Sequence, residues 1–158
     1  MSDSGPTAPG IVVRPTAVSD HDGWAALYAG YAQFYQVEQT PEMRARVWSW
    51  LHDPAHEVEG LVAVDADGRL VGLAHFRPFA RPLSATVGGF LDDLFVDPAA
   101  RGQGVAQLLI GAVAREGQQR GWSVLRWLTA EDNYRARAVY DQVATPTHWR
   151  IYDLAPRA

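Results

Sequence analysis

The sequence contains neither cysteine nor lysine; all 14 of its basic residues are arginine. Without cysteine there are no disulfides, no thiolate nucleophile and no cysteine-ligated metal. Without lysine, no side-chain amine serves as Schiff base, as phosphate-loop cation or as a target of self-modification. Long apolar runs are also missing, none approaching the roughly 20 residues that span a bilayer. The first ten residues, MSDSGPTAPG, have neither the basic start nor the apolar centre of a secretory leader. A soluble, cytoplasmic protein with no membrane partner is expected. A formal net charge of -4 disfavours a general role on nucleic acid, which calls for a basic face. His21, His52, His56 and His148 fall at no zinc-like spacing, so no metal is expected.

What is present is enough for one core. The 158 residues, 47% of them hydrophobic, suit one domain over 11–158 behind a flexible tail of residues 1–10. IVVRPTA (11–17) reads as a strand, and residues 19–35 as an aromatic helix behind the capping residues Ser19 and Asp20. A second helix follows, with Thr40 as N-cap and Pro41 in its first turn. GLVAVDADGRLVGLAHFRPF is two apolar runs around Ala66-Asp67-Gly68, an antiparallel hairpin. VGGFLDDLFVDP is a strand closed by Pro98. Val105, Leu108, Leu109 and Val113 then form a helical stripe ending near Gly121. Residues 122–130 read as a strand, 133–143 as a helix and 148–154 as a last strand. The order β-α-α-β-β-β-α-β-α-β combines a meander with a crossover, which gives an α/β fold with a mixed sheet and helices on both faces. In such sheets ligands favour the crevice beyond strand carboxyl ends, where a helix N-terminus faces the opening.

The stretch DPAARGQGVAQLLIGAV lies at that place and carries Gly102 and Gly104 at a helix start. A glycine inside a helix costs about 1 kcal/mol relative to alanine. An anion on the helix's unpaired N–H groups, approached without an intervening Cβ, offsets that cost. Arg101 adds charge, and Gln103, Gly104, Val105 and Ala106 present successive donors. Neither a P-loop nor a dinucleotide fingerprint is present, so spacing alone names no ligand.

LDDLFVDPAARGQGVAQLLIGAV, followed by LTAEDNYRARAVYDQV, resembles the GNAT-type N-acetyltransferases. Arg101-Gly102-Gln103-Gly104-Val105-Ala106 is similar to the family's pyrophosphate loop, and Asn133, Ala136 and Tyr140 to its Asn-x-x-Ala-x-x-x-Tyr segment. The Asp92-Asp93 pair resembles the acidic pair of polyamine N-acetyltransferases, where Glu-Asp is more usual. The resemblance implies a GNAT-like fold over residues 11 to about 145, acetyl-CoA as co-substrate, and direct attack of an amine on the thioester. It also implies that the strand bulges and splays, that the Leu94 N–H polarises the thioester carbonyl, and that pantetheine pairs with Leu94, Phe95 and Val96. Tyr140 would protonate the departing thiolate.

An amine of pKa near 10 must lose a proton before it attacks. Asp92 is the first candidate base; strand alternation faces it opposite to Asp93. Asp93 and His75 are candidate acceptor-side groups, with His75 also a second candidate base. Tyr28, Tyr31 and Tyr35 recur at helical spacing and either pack the core or form an aromatic wall for a cationic amine. Three functional classes follow: an acetyltransferase for a small cationic amine, a protein lysine acetyltransferase, and a non-catalytic CoA-binding module. Family members commonly add two strands after the Tyr helix, whereas this chain offers one. A homodimer pairing near 148–154 is therefore expected.

Overall fold

The computed structural model describes residues 10–157. They fall into two compact units divided after Leu128. The first unit holds strands β1 (Val12–Pro15), β2 (Glu59–Val64), β3 (Leu70–Arg81), β4 (Thr86–Val96) and β5 (Leu125–Trp127). Its helices are α1 (His21–Phe34), α2 (Pro41–Leu51) and α3 (Val105–Arg120). The strands lie in sequence order; β1 to β4 are antiparallel neighbours, and β5 joins β4 in parallel after the crossover through α3.

Local chemistry explains the boundaries. Thr40 Oγ1 accepts from the Met43 N–H at 3.2 Å, and Pro41 opens α2, so that cap forms as the sequence predicts. The hairpin turn is held by Asp65, whose Oδ1 accepts from the Asp67 and Arg69 N–H groups. At the start of α1 the expected side-chain cap is absent. The Asp20 carboxylate instead turns back to the Ala17 N–H at 2.7 Å and accepts from the two terminal Arg14 guanidinium nitrogens at 2.7 and 2.9 Å. That pairing, with Arg14 the largest influence, holds the buried Asp20 carboxyl below its ordinary pKa.

Adjacent residues of β3 serve opposite faces of the sheet, as strand alternation requires. Leu73 joins the cluster of Trp24, Leu27 and Tyr28 from α1, while a Cβ on Gly72 would meet Leu109 and Val105 of α3. The α3 stripe buries Val105, Leu109, Ile110 and Val113, with Ile110 taking the deeper place expected for Leu108.

One close approach fixes how α3 meets β4. A Cβ built on Gly89 would lie 2.2 Å from the Trp122 ring, and one on Gly117 2.6 Å from it. Strand and helix thus come together over the indole because neither presents a side chain there. Gly89→Ala is expected to destabilise the protein by about 1–3 kcal/mol, the usual range for overpacking. Urea unfolding should show a lower midpoint at unchanged slope; an unchanged midpoint would contradict this packing.

The second unit contains α4 (Tyr134–Val143), capped by Asn133, whose Oδ1 accepts from the Ala136 N–H at 3.4 Å. Residues 148–154, expected to be a strand, carry no regular structure; Trp149, Ile151, Tyr152 and Leu154 are exposed. Alternating apolar residues do not form a strand without a paired neighbour, and the described sheet ends at β5. The strand predicted over 122–130 is likewise only Leu125–Trp127. No helix among the described residues is long and apolar enough to cross a membrane.

Candidate active site

The site begins with one extra residue. His75 of β3 pairs with Asp93 of β4, but Phe76 pairs with Leu91, so Asp92 is left over as a β-bulge. The bulge shifts which edge the backbone of β4 addresses. At Gly89 the N–H points to the β5 side, donating to the Val124 carbonyl at 2.8 Å; at Asp97 it points to β3, donating to Val71 at 2.8 Å. Both positions are odd-numbered, and regular alternation would send both N–H groups the same way. With Asp92 inserted, Asp93, Phe95 and Asp97 turn inward, and Leu94 and Val96 face the opposite edge. Pairing with β5 stops at Leu91↔Trp127 among the described residues. The Leu94 and Val96 amides therefore point along the edge that β5 has left.

The bulge also overturns the expected opposite facing of the two carboxylates. Asp93 Oδ2 meets His75 Nδ1 at 2.8 Å, and Asp92 receives Arg77 Nε at 3.0 Å on Oδ2 and 3.3 Å on Oδ1. His75 and Arg77 are two apart on one strand and share a face, so Asp92 and Asp93 do as well. Burial raises the Asp92 pKa above the ordinary aspartate value and the charge of Asp93 adds to this, against the opposing hydrogen bond and charge of Arg77.

Behind Asp93 the chain builds a buried network. Tyr28 donates its hydroxyl to Asp93 Oδ2 at 2.9 Å, and Trp24 Nε1 donates to His75 Nε2 at 2.9 Å. His75 is 1% exposed, with both ring nitrogens engaged inside the protein. The Tyr28 hydroxyl is pushed well above the ordinary tyrosine pKa, first by burial and then by the Asp93 charge. Tyr31 stacks on Tyr28 at 6.1 Å and meets Phe95 edge-on at 5.7 Å. The aromatic helix thus packs the core at Trp24 and Tyr28 while carrying a hydroxyl to the acidic pair. Gln39 Oε1 is a buried acceptor with no partner among the described residues.

The glycine loop has the conformation its sequence suggests. Gly102 and Gly104 sit at φ of 78° and 77°, the left-handed region that side chains disfavour. Gly104 is the N-cap of α3 and provides no side-chain cap, so the first-turn N–H groups from Val105 onward keep their donors for an anion. The Arg101 guanidinium lies 5.5 Å over the Phe34 ring. A groove of about 570 Å³ is lined by Arg101, Phe34, Phe95, Leu27, Arg69 and Asp97, among others. In the second unit Asn133 caps α4 on the Ala136 amide, and Tyr140 follows on the same helix. In the sequence Trp24 stands out only as one of the aromatic residues of the first helix, and Arg77 and Gln39 not at all; their signal is spatial, since Trp24 and His75 are 51 positions apart.

A model of the Acetyltransferase (GNAT) family matches residues 24–144. The chain belongs to the GNAT acetyltransferase family. This GNAT chain is 28% identical over 143 residues to the D-amino-acid N-acetyltransferase HPA3 of Saccharomyces cerevisiae, covering 90% of this chain and 89% of the yeast protein. Its structure is similar to ribosomal-protein-alanine N-acetyltransferase from Brucella melitensis biovar Abortus 2308, with TM-score 0.77, 28% identity, and coverage of 92% of this chain and 99% of that one. It also shares its fold with AAC(6')-Iy in complex with the bisubstrate analog CoA-S-monomethyl-acetylneamine, at TM-score 0.77 and 22% identity, over 94% of this chain and 99% of that one.

Proposed function

We propose that this GNAT chain transfers the acetyl group of acetyl-CoA to a primary amine by direct attack in a ternary complex, with a small cationic amine as acceptor. The observation that carries this reading is the bulge at Asp92, which puts two carboxylates beside the open backbone edge at Leu94 and Val96. Pantetheine pairs along Leu94, Phe95 and Val96. The Leu94 N–H donates to the thioester oxygen, where negative charge develops. The pyrophosphate rests on residues 101–106, with Arg101 as counter-charge. We also assign Asn133 and Ala136 to CoA binding, a role supported by their match to the family segment.

In the reaction the amine nitrogen forms a bond to the acetyl carbon and the C–S bond breaks. Asp92 takes the proton from the amine, and Tyr140 gives one to the leaving thiolate, a role supported by its motif position. Asp93 holds the acceptor in its cationic form, with Tyr28, Tyr31 and His75 around it. A small acceptor is supported by the names of the yeast D-amino-acid enzyme and of the aminoglycoside N(6')-acetyltransferase of Klebsiella aerogenes, which is 29% identical over 117 residues. We further propose a homodimer in which residues 148–154 meet a second copy, supported by their exposed apolar side chains. Sedimentation at micromolar concentration should give a dimer, and a monomer would contradict it.

The test of function is release of free CoA in the presence of D- and L-amino acids, polyamines, aminoglycosides and a lysine peptide. Turnover of a small amine is expected, and Tyr140→Phe should lower it by about 10²-fold or more while CoA still binds. Turnover of the peptide alone would favour a protein acceptor. Tight CoA binding without turnover of any amine would favour a binding module.

A further inference from the structure

The buried network behind Asp93 contains a donor that none of the chemistry above uses. Trp24 is fully buried, and its indole nitrogen lies 2.9 Å from His75 Nε2. An indole N–H donates and never accepts. His75 Nε2 must therefore present its lone pair, and the single proton of the neutral ring is on Nδ1, 2.8 Å from Asp93 Oδ2. A proton on both ring nitrogens would set N–H against N–H inside the core. The Tyr28 hydroxyl, 2.9 Å from the same oxygen, is the second neutral donor to Asp93.

We propose that Trp24 is a positioning residue that locks His75 in the neutral Nδ1–H tautomer, so that Asp93 is oriented by two uncharged donors and keeps its full negative charge for the acceptor ammonium. This rests on the reading of Asp93 as the acceptor's anchor. A second proton on the ring would put a cation beside Asp93, and the cationic acceptor would lose its counter-charge. Trp24 prevents that by occupying the nitrogen where the proton would go. The charged and titratable groups near the ring are Asp93 and Asp92 of β4, Tyr28 of α1 and Arg77 of its own strand; its partner on β2 is Gly60. On the α2 side, Trp48 stands between Trp24 and His52, and His21 approaches Trp24 from α1.

The experiment pairs nitrogen-15 NMR of His75 with kinetics of Trp24→Phe. In the wild type, Nδ1 should show the protonated and Nε2 the unprotonated shift. In Trp24→Phe the Nε2 signal should move toward the protonated value as pH falls. The acceptor KM should then rise about tenfold at pH 6, the size expected for losing one charge-assisted contact, and return toward wild type at pH 9, with the acetyl-CoA KM unmoved. His75→Asn, which can donate to Asp93 but cannot become charged, should remove that pH dependence when combined with Trp24→Phe. A loss of activity equal at all pH values would overturn the lock, as would a wild-type ring protonated on Nε2. If Trp24→Phe fails to fold, the wild-type tautomer and the pH profile of His75→Asn against wild type still decide it: a protonated Nε2, or a wild-type acceptor KM that rises at low pH where that of His75→Asn stays flat, overturns the proposal. If the wild type turns over no amine, the proposed function fails, while the NMR arm still tests the tautomer.

Discussion

Asp92→Asn is expected to lower kcat for the amine by about 10²–10⁴-fold, the usual contribution of a general base, while acetyl-CoA binding is nearly unchanged. The asparagine keeps the size of the side chain and can still accept from Arg77, so the bulge and its open edge should survive. What it loses is the ability to take a proton. The pH profile separates that loss from a packing defect. Asp92 has a raised pKa, chiefly through burial and secondarily through Asp93, against the pull of Arg77. A base works only when deprotonated, so kcat should rise with pH through that raised value, and later than an exposed aspartate would allow. Removing Arg77 as counter-charge, by Arg77→Met, should carry the acid limb to higher pH. Asp92→Asn should abolish the limb altogether. A wild-type kcat that is flat across the acid range, or an asparagine variant that retains it, would remove Asp92 from the role.

The second large effect is expected at the phosphate loop. Gly104→Val should raise the acetyl-CoA Kd by about 10²–10³-fold. At φ 77° and ψ 14°, a β-branched residue costs at least the roughly 1–2 kcal/mol of the left-handed region. The loop relieves the strain by moving, and each charge-assisted hydrogen bond lost to the phosphates is worth about 1.5–3 kcal/mol. Gly102→Ala provides the comparison. Gly102 has nearly the same φ, and no atom lies within 4 Å of the Cβ it would acquire, so strain acts there with little steric displacement. Calorimetric titration with CoA should rank Gly104→Val well below Gly102→Ala, with both variants keeping the circular dichroism of the wild type. Wild-type affinity in Gly104→Val would show that the loop does not hold the donor.

Local features of this chain were legible in its sequence. Thr40-Pro41, the Asp65–Arg69 turn and Gly121 each act through neighbours a few residues away, and each stands where the pattern puts it. The glycine pair was legible for the same reason, because a positive φ is a property of a single residue. Three other features were legible in part or not at all. The bulge itself is implied by the family resemblance and is present, but its effect follows from how β3 and β4 register over their whole length, so alternation read from one strand faces Asp92 and Asp93 apart. The network of Trp24, His75, Asp93 and Tyr28 joins three elements, and helical spacing alone could describe Tyr28 only as core or wall. The segment 148–154 has a strand's alternation but no strand beside it in the described sheet. Periodicity reports which face a residue would bury, and pairing decides whether the strand exists.

The most direct test of the central claim, that amine and thioester meet at the β4 edge without an acyl-enzyme, is an initial-velocity study varying acetyl-CoA against the best amine of the panel. Direct attack in a ternary complex predicts double-reciprocal lines that intersect. Parallel lines, with acetylated protein detected by mass spectrometry in the absence of amine, would contradict it.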